Sequence, residues 1–124
     1  MATLLVVDDD PDLLILLEAH FGAREHTVVS ALSCEAGLSL AASRQPDLIL
    51  LDFCLPKMDG ARLLEILRSD ALTRATPVIV MSAASVDWVR SRLAPDPLVR
   101  VIDKPLDFAH LDSLIEEMIA ARRT

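Results

Sequence analysis

Five short runs rich in apolar and β-branched residues punctuate the chain: LLVV at 4–7, TVVSA at 27–31, DLILL at 47–51, PVIVM at 77–81 and VRVI at 99–102. Runs of this length, bounded by turn residues, read as strands, and the wholly apolar ones as strands buried on both faces. Each gap between them is long enough for a helix. Residues 11–21 open on Pro11 and place Leu13, Leu14, Leu16, Leu17 and Phe21 on an apolar stripe near a 3.6-residue period. Ser33 caps a helix of small residues over 33–43, and the PKMDG turn at 56–60 leads into a helix over 61–68. A weak helix over 85–93 is stopped by APDP at 94–97. Asp107 caps a last helix with Phe108, Leu111, Leu114, Ile115 and Met118 inward, and AARRT at 120–124 reads as its end. Strands alternating with helices predict an α/β domain whose parallel sheet is covered on both faces.

At 124 residues the chain is expected to be a single domain, residues 1–124, able to bury one core without staples. With 52% apolar but only 3% aromatic residues, that core must be aliphatic. No apolar run approaches the roughly 18 residues of a membrane span, and no signal-type segment opens the chain, so a soluble cytoplasmic protein is expected. Cys34 and Cys54 have neither metal-site spacing nor the density of a disulfide scaffold, which suits a reducing compartment. The net charge of −7 argues against nucleic acid or an anionic membrane as a direct partner and permits cations and basic protein surfaces.

The polar residues then fall into a pattern. Three consecutive aspartates, Asp8, Asp9 and Asp10, follow the first strand. Asp10, just before Pro11, fits a helix N-cap. Asp8 and Asp9 have no such role, and two carboxylates about 4 Å apart repel by on the order of 4 kcal/mol at an effective dielectric of about 20. Asp52 ends the third strand, Ser82 follows the fourth and Lys104 follows the fifth. Singly, each is an ordinary cap, turn or solvated residue. In an open parallel sheet, however, all lie at the carboxyl edge, where such folds bind ligands. That convergence points to a site.

Three carboxylates on one rim form a hard-oxygen set suited to Mg²⁺, with Mn²⁺ as an alternative, and a phosphate as a further ligand. Lys104 offers a cation and Ser82 a hydroxyl. An aspartate can itself act as nucleophile and form an acyl phosphate. Neither a Walker loop nor a Ser-His-Asp set is present, and three glycines do not make a nucleotide cradle, so the phosphoryl donor is expected to be something else.

These motifs resemble the receiver domains of two-component response regulators. VVDDD resembles the acidic-pair motif, LILLDFCLPKMDG the phosphoacceptor strand and its turn, VIVMSA the hydroxyl strand, and DKPL the lysine–proline motif. The resemblance covers essentially the whole chain and implies a flavodoxin-like, doubly wound sheet of five strands in the order 2-1-3-4-5, flanked by five helices. It implies Asp52 as the phosphorylated residue. It further implies Asp9 as a direct Mg²⁺ ligand, Asp8 acting mostly through water, and the backbone carbonyl of Cys54 completing the set with Asp52. Lys104 would bridge to the phosphoryl group and Ser82 would hydrogen-bond it. The bond before Pro105 is commonly cis in this family. The implied partners are a sensor histidine kinase or histidine phosphotransfer protein and a downstream effector, with dimerisation permitted. The phosphoacceptor takes part in its own phosphorylation and dephosphorylation without being a conventional enzyme.

Two departures stand out. Val101 occupies the position three before Lys104 where the family often carries an aromatic residue, and the chain has no tyrosine. Cys54 and Ala84 sit at positions that in the family modulate phosphoryl lifetime. Two other readings use the same residues. DDDPD also fits the D-x-D signature of haloacid-dehalogenase-type phosphatases, with Asp8 as nucleophile, Asp10 as acid/base, and Ser82 and Lys104 as later motifs. That reading leaves DFCLPKMDG unexplained. The other is a receiver that docks partners independently of phosphorylation; the valine at 101 keeps it open, but the intact set of site residues ranks it below the phosphoacceptor reading.

Overall fold

A computed structural model describes residues 2–123; Thr124, the last residue of the AARRT segment, lies outside the described residues. The elements alternate as β1 (Thr3–Val7), α1 (Pro11–Gly22), β2 (Thr27–Ala31), α2 (Cys34–Arg44), β3 (Leu48–Asp52), α3 (Gly60–Ser69), β4 (Val78–Ser82), α4 (Val86–Ser91), β5 (Val99–Asp103) and α5 (Phe108–Arg123). All four strand pairings are parallel, and the order is β2-β1-β3-β4-β5. This is the doubly wound arrangement expected.

The two-residue strand period sorts the aliphatic residues into two cores. Leu5, Val7, Ile49, Leu51, Val78 and Val80 face α2, α3 and α4. Leu4, Val6, Leu48, Leu50, Ile79 and Met81 face α1 and α5. Both central strands β3 and β4 are buried along their whole length, which is why they read as unbroken apolar runs.

Capping fixes the helix starts. Asp10 accepts from the backbone N–H groups of Asp12 and Leu13, Ser33 from Ala36, Asp59 from Arg62 and Ser85 from Trp88. Asp107 accepts from the N–H of His110 at the start of α5.

The structure corrects the α1 stripe. Leu14, Leu17 and Phe21 are buried, whereas Leu16 is 52% exposed. Leu16 lies about 100° around the helix from Leu17, outside the sector that Leu14, Leu17 and Phe21 turn to the sheet. Helix α4 is also shorter than 85–93: after Ser91 the chain tightens, with Arg92 N–H donating to Val89 O and Leu93 N–H to Arg90 O. Strand β3 ends at Asp52, as expected, while β4 and β5 each run one residue further toward their carboxyl ends than the sequence indicates. Asp52, Ser82 and Asp103 are therefore held in the sheet rather than in loops.

Candidate functional site at the carboxyl edge of the sheet

The strand order reverses between β1 and β3, which makes their carboxyl ends the switch point of the sheet. The chain leaves β1 at Asp8, whose N–H still donates to Ala31 O. Its carboxylate is completely buried. Oδ1 accepts from the N–H of Asp10 at 2.9 Å and Oδ2 from Lys104 Nζ at 3.0 Å. Asp9 is exposed and Asp10 caps α1, so the three adjacent aspartates occupy three environments.

Asp52 ends β3 in register with Met81 and is 6% exposed. Its Oδ1 accepts from Cys54 N–H at 3.3 Å and lies 3.6 Å from Lys104 Nζ. Lys104 is delivered from beyond β5, where its own N–H donates to Ser82 O at 2.8 Å and its bond to Pro105 is cis. Ser82 is buried, and its Oγ accepts from Ala84 N–H at 3.0 Å. Cys54 pairs with Asp59 across an isolated antiparallel bridge, with its side chain exposed.

Carboxylate oxygens of Asp8, Asp9 and Asp52 all lie within 4.8 Å of one another. Three anionic oxygens at this separation, without sulfur or imidazole among them, suit a hard divalent cation. The donor set thus fits the Mg²⁺ expected from the sequence. Sequence reasoning missed one contributor, the backbone N–H of Asp10. Its signal was the D-x-D spacing, since an aspartate readily accepts from the amide two residues on.

Burial raises the Asp52 pKa, the Asp8 charge raises it further, and the Lys104 ammonium and Cys54 N–H only partly oppose this. Burial alone would lower the Lys104 pKa. The Asp8 hydrogen bond and the charges of Asp52 and Asp8 outweigh it, so the ammonium is held above its ordinary value.

A carboxyl with a raised folded-state pKa contributes stability that is complete below its unfolded value and is lost as pH rises through the folded one. Without metal, charged Asp52 therefore works against folding at neutral pH. Asp52→Asn is expected to stabilise the protein in chelator at pH 7. The gain should fade as the pH falls to about 4. Urea midpoints for both proteins across this range check it, and a constant difference between them would contradict it.

A model of the response regulator receiver domain matches residues 4–116, which takes in every residue of this site. The chain belongs to that family. Among curated relatives, it is 39% identical over 120 residues to the transcriptional activator protein PfeR of Pseudomonas aeruginosa, covering 94% of this chain and 37% of that one. It is 37% identical over 119 residues to the response regulator PleD of Caulobacter vibrioides, covering 91% of this chain and 26% of PleD. The chain thus spans well under half the length of these two relatives. Protein PilH of P. aeruginosa is 32% identical over 108 residues, covering 84% of this chain and 89% of PilH. The receiver fold is seen directly in a two-component response regulator from Clostridium difficile, with TM-score 0.85, 21% identity and full coverage of both chains. A CheY-like receiver domain protein from Methanospirillum hungatei gives TM-score 0.85 at 24% identity, covering 99% of this chain and 97% of that one. Among the described residues, no helix of this receiver domain is long and apolar enough to cross a membrane.

Proposed function

We propose that this receiver domain accepts a phosphoryl group on Asp52 from the phosphohistidine of a sensor kinase or phosphotransfer protein in the cytoplasm, and so controls a downstream effector. The observation that carries the reading is the placement of Lys104 Nζ between Asp8 Oδ2 and Asp52 Oδ1, at 3.0 and 3.6 Å. An ionised Asp52 is the nucleophile. Its Oδ1 is engaged by Cys54 N–H, which leaves Oδ2 for attack. The phosphorus–nitrogen bond of the donor breaks as the phosphorus–oxygen bond forms, and the electron pair returns to the imidazole ring.

Asp8, Asp9, Asp52 and the backbone carbonyl of Cys54 would hold Mg²⁺, which supplies neutralisation of the carboxylates and of phosphoryl oxygens when bound. Lys104 contributes a second positive charge, already oriented by Asp8. Ser82 Oγ, which accepts from Ala84, retains its own proton to donate to a phosphoryl oxygen. Asp8 is poorly suited to be the nucleophile, because each of its oxygens has a partner and it is fully buried.

Incubation with acetyl phosphate and Mg²⁺, followed by intact mass, should show one added phosphoryl group that Asp52→Asn abolishes. Label that persists in Asp52→Asn but disappears in Asp8→Asn would favour the phosphatase reading instead.

A further inference from the structure

Phe53 follows Asp52 directly and is almost fully buried. Its N–H donates to Met81 O at 2.9 Å and its carbonyl accepts from Gly60 N–H at 2.7 Å, so its backbone is fixed on both sides. A Cβ added at Gly60 would meet Phe53 Cα at 2.9 Å and Cδ1 at 3.0 Å. Only glycine lets the first turn of α3 pack this closely on Phe53. On another side the ring meets Trp88 of α4 edge to face, with centroids 5.7 Å apart and planes at 81°. Trp88 is 49% exposed, and Arg92 lies over its ring at 5.6 Å.

Helix α4 is six residues long, and Val89 is its only fully buried residue among those described. Val86 is partly buried against the same core, and the Phe53–Trp88 ring contact adds a further anchor. Val101 is buried in the same cluster as Val89, and it is a small β-branched side chain with one stiff torsion.

We infer that Phe53 and Trp88 form the mechanical link between the phosphoacceptor and α4, with Trp88 acting as a positioning residue for the Asp52 loop. The inference rests on the phosphoacceptor reading of Asp52. A displacement of Asp52 passes to Phe53 through one peptide unit. The Phe53 backbone is bonded to β4 and α3, and its ring is in contact with Trp88, so a change in the ring's position is read on α4 at Trp88. Linkage makes the coupling reciprocal, so an event that moves α4 alters the readiness of Asp52. Sequence pattern alone gives no hint of this pair, because residues 53 and 88 belong to different elements.

Trp88 is the only tryptophan and the chain has no tyrosine, so emission from the intact protein reports this position. The test follows emission and intact mass together on adding acetyl phosphate and Mg²⁺. Phosphorylation should change the wild-type emission. Phe53→Leu should still be labelled but lose more than half of that change, while Val101→Ala should keep it. Trp88→Ala should slow labelling about 2- to 10-fold, the range that loss of one aromatic pair allows, and Trp88→Phe should restore most of the rate. As an exposed position, Trp88 keeps the test valid even if Phe53→Leu does not fold. A labelled Phe53→Leu with full emission response, a response lost in Val101→Ala, or wild-type labelling in Trp88→Ala would each overturn the inference alone. A wild-type protein that takes no label would overturn the phosphoacceptor reading and this inference with it.

Discussion

Lys104→Ala is expected to remain folded yet lose about 3 kcal/mol of stability in chelator, the cost of breaking a buried ion pair from one side. Asp8 has no exposure, and Lys104 is the cation that pairs with it among the described residues. Removing the ammonium leaves a buried carboxylate beside Asp52 with only the Asp10 N–H to support it. Packing contributes little to the loss, because Lys104 is partly exposed, so Lys104→Met should behave almost like Lys104→Ala. For a domain of this size each kcal/mol corresponds to roughly 3–5 °C, which predicts a fall in Tm of about 10 °C.

Two conditions should narrow the gap. Mg²⁺ supplies another cation to the same carboxylates, so the mutant should depend on it more steeply than wild type. Strong alkali should do the same from the other direction. A lysine with a raised folded-state pKa contributes stability below its unfolded value, near 10.4, and loses it as pH rises through the folded one. Urea midpoints with and without Mg²⁺ check the prediction. Equal midpoints for wild type and Lys104→Ala in chelator would show that Asp8 does not rely on this partner.

Much of this arrangement was legible because strand and helix periods are local. The runs at 47–51 and 77–81 located β3 and β4, but each strand continues one residue past its apolar run, into Asp52 and Ser82. Hydropathy marks where burial changes chemistry, whereas hydrogen bonding sets where a strand ends, and at a functional edge the two separate. The strand order came from resemblance, since alternation alone allows several parallel orders. Leu16 was misplaced because α1 is rich in leucine, although Asp12 and His20, four residues to either side of Leu16, mark the less buried face on which it lies. Asp8, Asp9, Asp52, Ser82 and Lys104 could be grouped because topology brings every strand's carboxyl end to one edge. Their individual partners could not be. The choice of Lys104 by Asp8, and of Trp88 by Phe53, depends on side-chain directions across elements far apart in the chain.

The neighbouring aspartates Asp9 and Asp10 should separate cleanly in a thermal melt. Mg²⁺ at ten times its dissociation constant stabilises a protein that binds it only when folded by about 1.4 kcal/mol, or roughly 5 °C here. The carboxylates of Asp8, Asp9 and Asp52 converge in the fold and are scattered in the unfolded chain, which satisfies that condition. Asp9→Ala should leave stability in chelator within about 0.5 kcal/mol of wild type, since the side chain is exposed, but should abolish the Mg²⁺ shift. Asp10→Ala should do the reverse. It removes the oxygen that accepts from Asp12 and Leu13, costing about 1 kcal/mol with or without metal, and should keep the shift because its N–H still holds Asp8. Differential scanning fluorimetry on the two variants, each in Mg²⁺ and in chelator, checks the contrast. A wild-type protein without a shift would remove the metal from the mechanism. A shift that survives Asp9→Ala but fails in Asp10→Ala would exchange the roles of the two residues, making Asp10 the ligand and leaving the start of α1 to be held by its packing.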